Sequence, residues 1–183
     1  MNAVLMPDRR RISVDDYHRM DEAGIFGHEE CVELLDGEIY VMPPIGNRHL
    51  GLVSRLDRLI QKMLGESVHI RVQGSVVISD HSQPQPDICI LRARDDDYFY
   101  TPATSKDILL AIEVADSSLR FDRSKKLPLY LDSGVPEVWI LNVAERCIES
   151  YPSQRRYASG DVARAVEIPE LVIDMNELFR YLD

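Results

Sequence analysis

The run Leu109-Leu110-Ala111-Ile112-Glu113-Val114 constrains this chain more than any other stretch. Five of its six residues are apolar, and Ile108 extends it on the N-terminal side. It lacks the two-residue alternation of a half-exposed strand, so it reads as a central strand covered on both faces. A sheet covered on both faces needs helices on either side. The same run carries one carboxylate, Glu113, with aliphatic neighbours before and after it. An ionised carboxylate in such surroundings is costly unless it is paired or bound to a metal.

The rest of the chain supplies the elements such a sheet requires. Ser13-Val14-Asp15-Asp16 reads as a helix start, with Ser13 as N-cap, and the helix runs to about Ala23 before Gly24. Glu33 to Val41 reads as two strands joined by the Asp36-Gly37 turn, closed by Pro43-Pro44. From His49 to Leu64 the apolar residues fall at helical spacing. Leu52, Leu56, Leu59 and Met63 form one stripe, widened by Val53, Ile60 and Leu64, and Arg55, Arg58, Gln61 and Lys62 cover the other face. Val68 to Ile78 alternates loosely, and Pro86 to Leu91 is a short apolar strand. Phe121 to Ser133 reads as a helix, with Asp122 as its N-cap and Gly134 as its stop. Glu137 to Leu141 is a further core strand. Cys147 to Tyr151 and Val162 to Ile168 complete a meander, and a short helix begins near Asn176. Asp95 to Asp107 reads as an exposed loop. The expected fold is a mixed α/β domain over residues 1–183, with a central mixed sheet flanked by helices and a loose N-terminal arm at 1–12.

Three charged residues stand beside buried strands. Asp87 follows Pro86 at the start of Ile88-Cys89-Ile90-Leu91, Glu113 lies inside the central run, and Lys126 lies on the next helix, four residues before Tyr130 and so on its face. Two neighbouring strands with one carboxylate each can offer both to one cation. Mg²⁺ takes one or two carboxylates plus water and phosphate, and a lysine nearby can orient the water or neutralise the phosphate. From spacing alone a structural ion pair between Glu113 and Lys126, or an arginine, is the commoner outcome. His49 can begin a helix or contact phosphate. Gln85 shapes the turn before Asp87 or contacts a ligand. Tyr130 and Trp139 read as core, with the Tyr130 hydroxyl free to reach the site.

These segments, taken in order, carry a resemblance. Glu33-Leu34-Leu35-Asp36-Gly37-Glu38-Ile39, His49, Gln85-Pro86-Asp87-Ile88, Ile112-Glu113-Val114-Ala115-Asp116-Ser117-Ser118, Asp122 to Tyr130 and Gly134 to Ile140 are similar to the Uma-type restriction-endonuclease-like family of the PD-(D/E)XK nuclease superfamily. The resemblance implies a restriction-endonuclease-like core and a Mg²⁺ site, with Mn²⁺ as a substitute, that hydrolyses DNA. It maps the superfamily's Asp to Asp87 and its Glu to Glu113. The superfamily's Lys lies two residues after the Glu, where this chain has Ala115, and Lys126 rather than Lys125 takes its place. Glu33 becomes a further metal or water ligand. A homodimer follows by analogy with nucleases that cut both strands.

Composition bears on these expectations. The formal net charge of −10 argues against a general nucleic-acid binder, but clustered metal-binding carboxylates add negative charge and a local basic face can coexist with an acidic whole. Arg120 and Arg123 flank the expected site and are candidate phosphate contacts. Arg9, Arg10, Arg11 and Lys125 are further basic candidates, and Arg155 and Arg156 are expected in an exposed hairpin turn. The cysteines Cys31, Cys89 and Cys147 are too dispersed for a zinc site. The first residues lack the apolar core of a signal peptide and no run spans a bilayer, so a cytoplasmic location is expected. Two other readings stand beside the nuclease: a binding module of the same fold with weak or no catalysis, and a structural protein whose acidic groups form internal ion pairs.

Overall fold

The computed structural model describes residues 8–27 and 30–182. The outer part of the expected arm, residues 1–7, lies outside them. Ser13 caps helix α1 (Val14–Glu22), its hydroxyl accepting from the Asp16 backbone N–H at 3.1 Å. Strands β1 (Val32–Leu35) and β2 (Glu38–Val41) form the expected antiparallel hairpin. Its turn residues Asp36 and Gly37 have φ values of 53° and 78°, the geometry that Asp-Gly favours. Arg11 and Ile12 of the arm lie against this turn: Arg11 pairs with Asp36, and Ile12 N donates to Gly37 O at 3.1 Å.

Gly37 answers to two constraints at once. Its φ is in the left-handed region, and a Cβ there would lie 2.6 Å from Arg11 Cβ. Gly37→Ala is therefore expected to destabilise the fold by about 1–3 kcal/mol, read as a lower urea midpoint with an unchanged slope. An unchanged midpoint would show that the Arg11 segment moves aside freely.

Helix α2 (Asn47–Leu64) follows, ended by Gly65 at φ 51°. The buried stripe is Leu52, Val53, Leu56, Ile60 and Leu64, while Leu59 and Met63 pack only partly against it. The helix is thus rotated from the expected stripe toward Val53, Ile60 and Leu64, with Leu56 and Ile60 fully buried against the core. Strands β3 (Val68–Val72), β4 (Ile88–Arg92) and β5 (Ile108–Ala115) are antiparallel neighbours. The loose alternation beyond Val72 does not continue as a strand; Val77 and Ser79 form isolated bridges instead. The loop between β4 and β5 is only partly exposed. Tyr98 and Ala103 are buried in it, and Thr104 and Asp107 cap a short 3₁₀ turn.

From β5 the chain crosses over through α3 (Leu119–Phe121), a π-helical turn (Asp122–Lys126) and α4 (Leu127–Asp132). It then enters β6 (Val138–Asn142), parallel to β5, followed by the antiparallel strands β7 (Cys147–Tyr151) and β8 (Arg155–Tyr157). The central sheet has the order β3-β4-β5-β6-β7-β8. β9 (Val162–Arg164) does not extend it: β9 pairs with β10 (Val172–Asp174), ahead of α5 (Met175–Leu178). Arg155 and Arg156 are on β8 rather than in the turn, both exposed.

β5 is buried at every position, as its apolar run requires. Leu110, Ile112 and Val114 face a core layer built with α2 and the C-terminal segment. Ala111 and Ala115 face a second layer with Leu127 and Tyr130 of the crossover. Glu113, between these alanines in the strand alternation, belongs to the second layer.

Candidate functional site

The two alanines leave room above Glu113, and side chains from the crossover fill it. Lys126 Nζ lies 3.2 Å from Glu113 Oε1, and the Tyr130 hydroxyl donates to the same oxygen at 2.7 Å. Lys126 Nζ also lies 3.0 Å from Glu33 Oε1. Glu33 arrives from β1, because the hairpin docks over the crossover, with Tyr40 edge-on to Phe121 at 5.2 Å between centroids. Lys126, Glu113 and Glu33 are each 3% exposed. The second Glu33 carboxylate oxygen, Oε2, is buried with no hydrogen-bond partner.

The π-helical turn makes this convergence possible. In a regular α-helix, residues four apart drift by about 40° per step around the axis. The wider π turn takes up part of that drift. Asp122, Lys126 and Tyr130 consequently all point inward and are buried. Asp122 is not the helix N-cap expected from its sequence. It sits inside the π turn with helical dihedrals, and the Ser118 hydroxyl donates to its Oδ2 at 2.5 Å. It is a fourth carboxylate of the site, and its spacing of four residues from Lys126 was the available signal.

Asp87 and His49 form the solvent-facing side. The register that sets Ile88 against Ile112 brings Asp87 beside the Glu113 end of β5. The Val114 backbone N–H donates to Asp87 Oδ2 at 2.8 Å, and Asp87 Oδ1 lies 2.8 Å from His49 Nε2 on the first turn of α2. The His49 and Asp87 side chains are 15% and 14% exposed.

Carboxylates outnumber cations here, and the titration behaviour follows. Burial raises the Glu113 pKa well above the usual range; Lys126 opposes this, while Asp122, Asp87 and Glu33 add to it. Burial likewise raises Glu33, against Lys126, and raises Asp122, against its bond from Ser118. Burial disfavours the Lys126 ammonium, but Glu113, Glu33 and Asp122 outweigh it and hold the lysine protonated. For His49 burial also opposes the charge, and Asp87 outweighs it.

The remaining candidates divide. Gln85 is committed to the turn, donating to Gln73 O and accepting from the Cys31 thiol. Arg123 does not face the site: it forms a two-pronged pair with Glu149 on β7, because that nearly buried carboxylate needs a cation as partner. Arg120 is exposed. Lys125 is exposed too, its Nζ 5.9 Å from the centre of the Tyr40 ring. Tyr130 and Trp139 are fully buried, as expected. Among the described residues no three His, Cys, Asp or Glu side chains are already arranged as a metal-ligand group.

A family model described as "Putative restriction endonuclease", Uma2, matches residues 14–176. The chain belongs to the Uma2 family. Every residue of the site lies within the matched span. Among solved structures, this Uma2 chain is similar to "a putative nuclease belonging to DUF820" from Anabaena variabilis, with a TM-score of 0.72 and 17% identity over 94% of this chain and 99% of that one. That likeness concerns the fold, and it agrees with the restriction-endonuclease-like core. No curated protein matches the chain. No helix among the described residues of this Uma2 protein is long and apolar enough to cross a membrane.

Proposed function

We propose that this Uma2 protein is a divalent-cation-dependent endonuclease that hydrolyses DNA phosphodiester bonds, with Asp87, Glu113 and Lys126 as its reactive set. The observation that carries the reading is the buried excess of carboxylate. Glu33 and Glu113 share one buried ammonium, Asp122 and Asp87 add like charge beside Glu113, and Glu33 Oε2 lacks a hydrogen-bond partner. An uncompensated buried polar atom among like charges is unfavourable, and a hard cation with oxygen ligands relieves both problems. The donor set therefore fits Mg²⁺ or Mn²⁺, held by Asp87 and Glu113 with Glu33 in support. Such an ion lowers the pKa of bound water and stabilises charge on the scissile phosphate.

The protein's own groups divide the remaining work. Lys126 holds Glu113 and Glu33 in place and is the ammonium inside the site able to bond an attacking water or a phosphoryl oxygen. Tyr130 fixes the Glu113 carboxylate through its hydroxyl. His49, whose charged form Asp87 favours against the cost of burial, sits on the solvent side as a donor to an arriving phosphate. A homodimer acting on both strands belongs to this proposal.

The test is Mn²⁺- and Mg²⁺-dependent cleavage of supercoiled DNA by wild type and Asp87→Asn. Asparagine keeps an acceptor for Val114 N–H and removes the charge, so a fall of about 10²–10³-fold is expected. Equal cleavage by the two proteins would remove Asp87 from the site. A second reading, a binding module without catalysis, draws on the bonds already made. Glu113 is satisfied by Lys126 and Tyr130, and Asp87 by His49 and Val114. Calorimetry with Mn²⁺ separates the two, since only the nuclease requires binding that Asp87→Asn weakens.

A further inference from the structure

We infer that the outer face of α2, with the C-terminal residues beside it, is a track for a polynucleotide backbone leading to the site. This rests on the nuclease reading and names how its substrate is held. On a helix advancing about 100° per residue, Arg48, Arg55, Arg58 and Lys62 fall within an arc of about 80° and span about 21 Å. The buried stripe of Leu56 and Ile60 lies on the other side, and Asp57, bonded by Gln61, is turned roughly 160° away from Arg55. Arg180 and Tyr181 join the arc: two adjoining grooves run along it, lined by Arg48, Arg55, Arg58, Lys62, Arg180 and Tyr181.

The placement of charge is selective. The chain as a whole carries −10, yet among the described residues five cations collect here against two carboxylates. Those are Asp116, 3.8 Å from Arg48, and Glu177 in the second groove. Among the described residues no carboxylate pairs with Arg58, Lys62 or Arg180. Arg55 bonds the Glu177 and Leu178 carbonyls and lies 4.4 Å from the Tyr181 ring centre, so its charge stays unpaired while it orients the ring. Tyr181 itself is 75% exposed. The stripe is anchored at the site, because Arg48 precedes His49, the partner of Asp87.

A row of cations with an exposed aromatic ring matches a phosphate backbone with a base to stack. An acidic peptide would use the cations and leave the ring without a role.

The experiment is fluorescence anisotropy of labelled single-stranded and duplex oligonucleotides with the full chain in EDTA, over a salt series. The variants are Arg58→Ala/Lys62→Ala and Tyr181→Ala, with Arg155→Ala on β8 as control and circular dichroism to verify folding. The double variant is expected to reduce the log–log salt slope by about 0.9 for each duplex phosphate it no longer neutralises, and by about 0.7 for each single-strand phosphate. Tyr181→Ala is expected to weaken single-strand binding about 10-fold. Wild-type affinity and slope in the folded double variant would overturn the track. Equal competition by poly-aspartate, with no effect of Tyr181→Ala, would assign the surface to an acidic protein and also overturn it. Binding that follows these variants in a protein that cuts nothing would leave the track standing and remove the catalytic reading. Cleavage that ignores the variants would do the reverse.

Discussion

Lys126→Met is expected to cost about 3–5 kcal/mol of folding stability at neutral pH, the range for removing one partner of a buried ion pair. The ammonium lies within 3.2 Å of Glu113 and 3.0 Å of Glu33, and all three side chains are almost wholly buried. Methionine fills the stem's volume but leaves two carboxylates facing each other, with Asp122 nearby. The loss should depend on pH in a definite direction. Burial already raises the folded-state pKa of Glu113 and Glu33, and Lys126 is the group that opposes it. Without the lysine these values rise further, so the folded variant holds protons that its unfolded chain releases above about pH 4.3. A state that binds more protons loses stability as pH rises. The deficit should therefore be smallest near that pH and widen toward neutrality. Urea denaturation of both proteins over this range is the measurement. A deficit that stays constant with pH would mean that the cost is packing and that the carboxylates are compensated elsewhere.

Glu113→Gln is expected to remove metal-dependent cleavage by about 10³-fold or more, with a modest change in stability. Glutamine preserves the shape and still accepts from Tyr130, and Lys126 keeps Glu33 as a counter-charge. What disappears is the negative charge on the central strand, the charge a divalent cation requires. Activity and Mn²⁺ affinity should fall together, which separates this outcome from simple unfolding. Full cleavage by a folded Glu113→Gln protein would contradict the proposed site. Normal Mn²⁺ affinity with lost cleavage would move Glu113 from holding the ion to acting on water.

How much of the molecule can be read in advance depends on the range of the interactions involved. The Ser13 cap, the Asp36-Gly37 turn and the stop at Gly65 are local, set by side chains within a few residues of the backbone they govern. They are readable for that reason. The apolar run around Glu113 is readable because a strand buried on both faces has no polar side to display. The ordered set of segments from Glu33 to Ile140 points to the family, and the match over 14–176 agrees with it.

Local sequence, then, dictates the element types, the central buried strand, and a small group of carboxylates and one lysine placed where charge is costly. How those groups meet is settled only in the packed chain. The Glu33–Lys126 contact requires the hairpin to dock over the crossover. The inward turn of Asp122 requires a π-helical turn that no local propensity announces. Arg123 is drawn away to Glu149 by a strand that follows it in the chain, and the second short sheet takes β9 out of the meander. Each of these is a choice among packing arrangements of distant segments, made by burial and charge pairing in three dimensions. Local sequence carries no term for such a choice.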